Sequence, residues 1–378
     1  MLNLTSLLSL TTQPADNLRY GRGHGAPPSA TDRRPVVVWN ITRRCNLHCI
    51  HCYSDSDLRF YPGELTDDES HRLIDDLADF KIPALLLSGG EPLMRPRFFD
   101  IARYAAQRGL RLTLSTNGTL ITPHVAEQIR SIGFSYVGIS LDGIGPAHDN
   151  FRGKSGSFNR AVAAFRACQQ VGQKVGLRLT LSRQTFSQLD QILDFIESEN
   201  IPRVCFYHLV YSGRGSDLAS LSHQQSRQAL DKIINRVEKW IHQGSPREVL
   251  TVDQPADAAY LLLYLQKNNP SLALRARQML EWNGGAANSS GIGIANIDSQ
   301  GNVHPDQFWH SLNLGNVRHT PFSQIWRESK DPILLGLRSK PRPVQGRCSS
   351  CLWLPICGGG FRVRAWQRTG NPWAEDPA

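Results

Sequence analysis

Residues 40–53 read NITRRCNLHCIHCY and set Cys45, Cys49 and Cys52 in the spacing Cys-x3-Cys-x2-Cys. A fully held [4Fe-4S] cube takes four cysteines, so three thiolates this close would grip three irons and leave the fourth open to a small molecule. Zinc is the competing reading. A structural zinc site usually matches one Cys-x2-Cys pair with a second, and no nearby cysteine completes one. A disulfide framework would leave one of the three cysteines over. The aromatic Tyr53 directly after the triplet favours the open cluster.

Working outward from the triplet, short β-branched or Leu-rich runs alternate with segments of helical length and period. The runs are VVVWNIT (36–42), ALLLSGG (84–90), LRLTLST (110–116), YVGISLD (136–142), VGLRLTLS (175–182) and RVCFYHLV (203–210). Alternation of this kind predicts repeated βα units and a parallel sheet. Six units predict an α/β fold, a partial (β/α)6 TIM-type barrel over residues 35–215. The cysteines follow the first strand, and polar or glycine clusters follow the later ones, at the C-terminal strand ends where parallel barrels place their chemistry.

Residues 1–34 include the stretch RYGRGHGAPPSATDRRP and are expected to form a flexible lead-in, with order beginning at Val36. A helical connector is expected over 216–283, with a packing stripe of Leu230, Ile233, Ile234, Val237, Trp240 and Ile241 and a buried helix at AAYLLLYL (258–265). A small cysteine-bearing domain is expected over 284–378.

The 378 residues suit one large domain plus a smaller appendage, at on the order of 150 residues per domain. No apolar run approaches the ~20 residues of a membrane helix. MLNLTSLLSLTTQ has neither the basic region nor the apolar length of a signal peptide, which places the chain in the cytoplasm, where thiolates stay free for metal. The net charge of +9 suits an anionic partner. Its basic residues are scattered, which argues against nucleic acid.

After the second strand comes Gly89-Gly90-Glu91-Pro92, where two glycines permit close backbone approach and a glutamate offers an acceptor for an ammonium group. Taken with STNG at 115–118 and SLDG at 140–143, in this order at successive strand ends, the set resembles the radical S-adenosylmethionine (radical SAM) enzymes. That resemblance implies an open [4Fe-4S] cluster on Cys45, Cys49 and Cys52 whose free iron chelates the methionine part of SAM. It further implies that Gly89, Gly90 and Glu91 meet the amino group, that Thr116, Asn117, Ser140 and Asp142 line the ribose side, and that Tyr53 lies near the adenine. Arg152 or Arg178 would pair with the SAM carboxylate. The implied chemistry is reductive cleavage of SAM to a 5′-deoxyadenosyl radical that takes a hydrogen atom, with an electron donor such as flavodoxin or ferredoxin.

Near the C-terminus, Cys348-x2-Cys351-x5-Cys357 precedes three glycines and resembles the SPASM or twitch tail, implying a second, auxiliary [4Fe-4S] cluster. A zinc knuckle is the alternative. Asp306 stands where a Pro-Cys pair often occurs, and the usual fourth cysteine would follow Cys357 by some twenty residues, beyond or at the end of the sequence at Ala378. Cys168 and Cys205 read as structural.

The segments FYHLVYSGRG (206–215), TVD (251–253), VHPDQF (303–308) and LGNVR (314–318) resemble the tetrapyrrole-modifying radical SAM enzymes, nearest their heme d1 branch. This implies removal of two propionate side chains from 12,18-didecarboxysiroheme on the way to the oxo groups of heme d1. His208 and Tyr211 are expected to face the barrel mouth, with Arg214 holding a propionate bidentately; Asp253 and His304 are lesser candidates. The alternatives are a sibling in the siroheme-dependent heme b route, a peptide-modifying SPASM enzyme, or a non-catalytic carrier of Fe–S clusters or tetrapyrrole.

Overall fold

The computed structural model describes residues 1–9, 33–218, 220–286 and 289–378. The six predicted runs form parallel strands: β2 (Val36–Thr42), β3 (Leu85–Gly89), β4 (Leu112–Thr116), β5 (Tyr136–Ser140), β6 (Val175–Leu181) and β7 (Arg203–His208). They lie side by side in chain order within one ten-stranded open sheet. Their apolar residues, among them Val37, Leu85, Leu114, Val137, Leu177 and Phe206, are almost wholly buried, as expected for parallel strands covered on both faces. Each buried Leu or Val stabilises by roughly 1.5–3 kcal/mol, so the sheet is held by its own sequence pattern.

Two strands extend this run. β8 (Glu248–Val252) pairs parallel with β7, and β9 (Ile294–Ile297) pairs parallel with the other edge at β2. The expectation of an all-helical connector over 216–283 is thereby corrected: EVLTV, with four of its five residues buried, continues the sheet. The rest of that segment is helical. Helix His223–His242 starts at a capping box of Ser222 and Gln225 and buries Leu230, Ile233, Ile234, Val237 and Trp240, and the cap contributes on the order of 1 kcal/mol. In helix Ala256–Asn268, Leu261, Leu262 and Leu265 are buried but Leu263 faces out.

The flexible lead-in is also corrected in part. Leu2 and Asn3 form β1, antiparallel to Thr251 and Leu250 of β8, and helix Leu4–Ser9 buries Leu4, Leu7 and Leu8. The physical reason is local: leucines at 2, 4, 7 and 8 give a short apolar face, and β8 offers an unpaired sheet edge that a strand can cover. The Thr5 hydroxyl donates to the Arg247 carbonyl at 2.6 Å. The expectation for residues 10–32 lies outside the described residues.

At the far edge, β10 (Val303–His304) pairs with β9 in a hairpin, bringing the C-terminal segment alongside β2. Every strand from β2 to β8 thus ends at one mouth, with the cysteine loop directly after β2.

Candidate active site

The loop after β2 is built to hold three sulfurs. Cys45 and Cys49 are buried and Cys52 half-buried. N–H groups point at the sulfurs: Leu47 N donates to Cys45 Sγ at 3.5 Å, Ser56 N to Cys52 Sγ at 3.4 Å, and Arg152 Nη1 to Cys49 Sγ at 3.6 Å. Burial pushes the Cys45 thiol up to about 12 and also raises Cys49, where the Arg152 cation partly opposes it. Such thiols stay protonated until a metal takes the proton's place. Buried sulfurs ringed by N–H donors and a cation are a donor set that fits an iron–sulfur cluster, whose sulfurs accept such bonds. Among the described residues, no group of three or more His, Cys, Asp or Glu side chains converges on a point where a single ion would sit.

The glycines at the end of β3 are explained by contact with this loop. Gly90 N donates to the Thr42 carbonyl at 2.8 Å and Glu91 N to the Arg44 carbonyl at 2.9 Å. A Cβ on Gly90 would stand 2.4 Å from the Arg44 carbonyl oxygen, and one on Gly89, where φ is +134°, would stand 2.2 Å from that of Thr42. Any larger side chain would push the loop away.

A cavity opens above these elements, about 1090 Å³ including its open mouth. Of the residues expected from the sequence, Cys45, Cys49, Cys52, Tyr53, Gly89, Gly90, Thr116, Asn117, Ser140, Arg152, Arg178, His208 and Asp253 line it. The Arg178 guanidinium lies over the Tyr207 ring, 4.7 Å from its centroid. No carboxylate lies within ion-pair distance of it among the described residues, which leaves a half-buried cation facing the cavity. His208 is fixed by a hydrogen bond of 3.0 Å from Nε2 to the buried carboxylate of Asp257. Asp253 has its carboxyl pushed up to about 6 by burial. The Tyr53 hydroxyl donates to Asn40 Oδ1 at 3.1 Å, and its ring meets Phe308 at 5.3 Å, so the C-terminal segment closes this side.

Four expectations are corrected. Glu91 turns inward: it is fully buried and accepts from Thr116 Oγ1 and Asn117 N, both at 2.8 Å, and from Leu93 N at 3.2 Å. Its carboxyl, pushed up to about 7 by burial against those bonds, braces the β3 and β4 ends and does not line the cavity. Asp142 likewise turns inward to Arg152 and to Thr180 N. Burial works against its charge, but the Arg152 cation and His51 hold it below the usual range. Arg214 is spent on the cysteine loop, donating from Nε to the Cys49 carbonyl at 2.8 Å, from Nη1 to Asp55 at 2.6 Å and from Nη2 to the Ser56 carbonyl at 2.8 Å. Three of its five N–H donors hold this loop, and the side chain does not line the cavity where a propionate would be met. Tyr211 bonds Ser220 at 2.9 Å and does not reach the cavity. Its strand ends at His208, so the alternation that would aim it inward has stopped.

His304 is also outside the cavity, with Nδ1 against the Leu312 carbonyl at 2.7 Å. Residues missed from the sequence are Asp257, His51, Gln307 and Phe308. An Asp in the first turn of a helix looks like a solvated cap, and only its register with His208 reveals it.

The second cysteine group lies apart from this cavity, on a turn at Gly346–Ser350 and a short helix at Leu354–Cys357. Cys357 receives backbone N–H groups of Gly359 and Gly360, and burial pushes its thiol up to about 11. Cys348 is half-buried and Cys351 exposed. Three thiols with a glycine N–H nest suit a cluster. Asp306 is elsewhere, buried against Ser290 and the Phe308 N–H. Cys168 and Cys205 are buried, the latter among Leu250, Val252 and Tyr207.

Comparison with known proteins agrees with this geometry. The Radical SAM superfamily profile matches residues 39–196, and the SPASM iron–sulfur cluster-binding domain profile matches residues 290–352. The chain is 46% identical to Fe-coproporphyrin III synthase of Methanosarcina barkeri, covering 100% of this chain and 97% of that protein. It is 45% identical to pre-heme d1 synthase of Dinoroseobacter shibae, covering 94% and 89%. The crystal structure of Streptococcus suis SuiB bound to S-adenosylmethionine shares the fold, with a TM-score of 0.71 at 17% identity over 92% of this chain and 77% of that one. The chain therefore belongs to the radical SAM superfamily, among its tetrapyrrole-modifying enzymes, and carries a C-terminal iron–sulfur SPASM domain.

Proposed function

We propose that this enzyme removes two propionate side chains from 12,18-didecarboxysiroheme in the making of heme d1. The observation that supports it best is the shared cavity, in which the three cluster cysteines, the unpaired Arg178 cation and the Asp257-held His208 face one space. The 45% identity to pre-heme d1 synthase supports the substrate class.

When bound, the cluster and SAM supply hydrogen-atom abstraction from an unactivated carbon. The chain's own residues do the rest. Cys45, Cys49 and Cys52 would hold the cluster, with Arg152 and the loop N–H groups offsetting the charge of their thiolates. Gly89 and Gly90 leave bare backbone at the cavity wall, suited to the amino group of SAM. Arg178 would pair with a carboxylate, of SAM or of a propionate, and the low dielectric around it strengthens the pair. His208, fixed by Asp257, offers its second ring nitrogen to the substrate. Phe308 and Tyr53 cover one side of the cavity and exclude water that would quench a radical.

The 46% identity to Fe-coproporphyrin III synthase favours a second reading, in which the reaction gives that enzyme's product. One experiment separates the two. The reconstituted protein is given SAM, reductant and didecarboxysiroheme without oxygen, and the products are weighed by mass spectrometry. Loss of two propionate side chains supports the heme d1 reading; formation of Fe-coproporphyrin III, with all four propionates kept and the two remaining acetates turned into methyl groups, overturns it.

A further inference from the structure

Just beyond the cysteine loop the chain exposes two large apolar side chains one residue apart, Leu58 at 61% and Phe60 at 82% of full exposure. Between them stands the exposed Arg59, and beside them lies the exposed Arg44, through a backbone bridge from Arg44 to Asp57. Arg44 makes no ion pair among the described residues. Lys154, also exposed, reaches the same loop, with Nζ donating to the Asn46 carbonyl at 3.3 Å. Arg43 pairs with Asp55 and Arg59 with Asp57, while Arg44 and Lys154 make no ion pair among the described residues. Among the described residues this surface has Leu58 and Phe60 exposed at its centre and basic side chains around them.

Its distance from the cluster site is one hydrogen bond. The Asp57 carbonyl accepts from the Cys45 N–H at 2.7 Å, and the Ser56 N–H donates to Cys52 Sγ at 3.4 Å. The residues immediately preceding Leu58 therefore bond directly to two of the three cysteines. We propose that the face formed by Leu58, Arg59, Phe60, Arg44 and Lys154 is the docking surface for an acidic one-electron carrier protein of the flavodoxin type. An apolar centre within a cationic rim is complementary to a carrier whose exposed cofactor edge sits among carboxylates. On docking, the carrier loses one electron and the cluster gains one, with no bond made or broken. The proposal rests on reductive radical SAM chemistry and is independent of which tetrapyrrole is the substrate.

The test uses the reconstituted full chain, a recombinant acidic flavodoxin, and the variants Phe60→Asp and Lys154→Glu, alone and together. Both side chains are exposed, and iron content equal to the parent's confirms that the cluster loads. Flavodoxin affinity, read by flavin fluorescence, should fall by about tenfold or more in the double variant, and raised salt should weaken the parent toward the same value. Cluster reduction, followed by bleaching of visible absorbance without tetrapyrrole, should slow with flavodoxin and be unchanged with dithionite. Parent-like binding and reduction by flavodoxin in the double variant would overturn the proposal. So would the same loss produced instead by Leu352→Asp, which alters the 90% exposed leucine beside Cys351 at the second cysteine group.

Discussion

Arg152 touches Cys49: its Nη1 lies 3.6 Å from the cysteine sulfur, while its Nη2 pairs with the buried Asp142. One guanidinium thus ties the cysteine loop to the end of β5, and it puts a fixed positive charge against a sulfur that must become negative. Replacing it changes both the loading and the electronics of the site.

Arg152→Met keeps the volume and removes the charge. Cys49, already raised by burial, loses its main opposing cation, so cluster loading should fall and the reduced cluster should become harder to form. We expect a midpoint potential lower by tens of millivolts, where ~59 mV corresponds to tenfold for one electron. An EPR-monitored redox titration reads it. An unchanged potential at full loading would mean that the contact carries no charge effect.

Arg214 gives a prediction opposite to the one its sequence context suggests. Because all three guanidinium nitrogens hold the cysteine loop, Arg214→Ala should lower iron per chain at the first site and leave tetrapyrrole affinity of the loaded fraction within about twofold. Arg178→Gln should do the reverse, keeping iron and weakening carboxylate binding by roughly ten- to a hundredfold, the worth of one charge-assisted pair. Iron assay and tetrapyrrole titration on both variants decide it. A tenfold loss of tetrapyrrole affinity in loaded Arg214→Ala would restore the propionate role.

The second cysteine group is separable from the first. Changing Cys348, Cys351 and Cys357 together to Ala should lower iron by about half while the SAM-responsive EPR signal persists. Stoichiometric zinc in the parent, with no change of iron in the variant, would show a zinc knuckle instead.

What the sequence made legible was whatever repeats or clusters along the chain. The strand runs followed from alternation with helical segments, and Cys45, Cys49 and Cys52 from their spacing. What stayed hidden depends on register between distant elements. Asp257 meets His208 only because the helix beginning at Ala256 follows β8 back to the end of β7. Arg214 and Asp142 carry the right chemistry in the right neighbourhood, yet each faces a protein partner, and nothing local in SGRG or SLDG says so. The first nine residues were misread because composition over the whole lead-in outweighed four leucines.

Asp306 carries a stability signature that can be read without any cofactor chemistry. Burial pushes its carboxyl from the ordinary 3.8 up to about 7, with nearby Asp253 adding to the rise and the Ser290 and Phe308 bonds opposing it. A carboxyl raised in the folded state contributes stability that is full below the unfolded value, near pH 4, and is lost as pH rises through about 7. The parent should therefore lose stability across this window, by a few kcal/mol at most. Asp306→Asn keeps an oxygen for the Phe308 N–H, offers an N–H to Ser290 and cannot ionise. Urea midpoints measured from pH 5 to pH 8 should show the variant gaining on the parent as pH rises, with the difference levelling above about pH 7.5. A difference that stays flat across the range would mean that Asp306 is charged in the folded protein throughout.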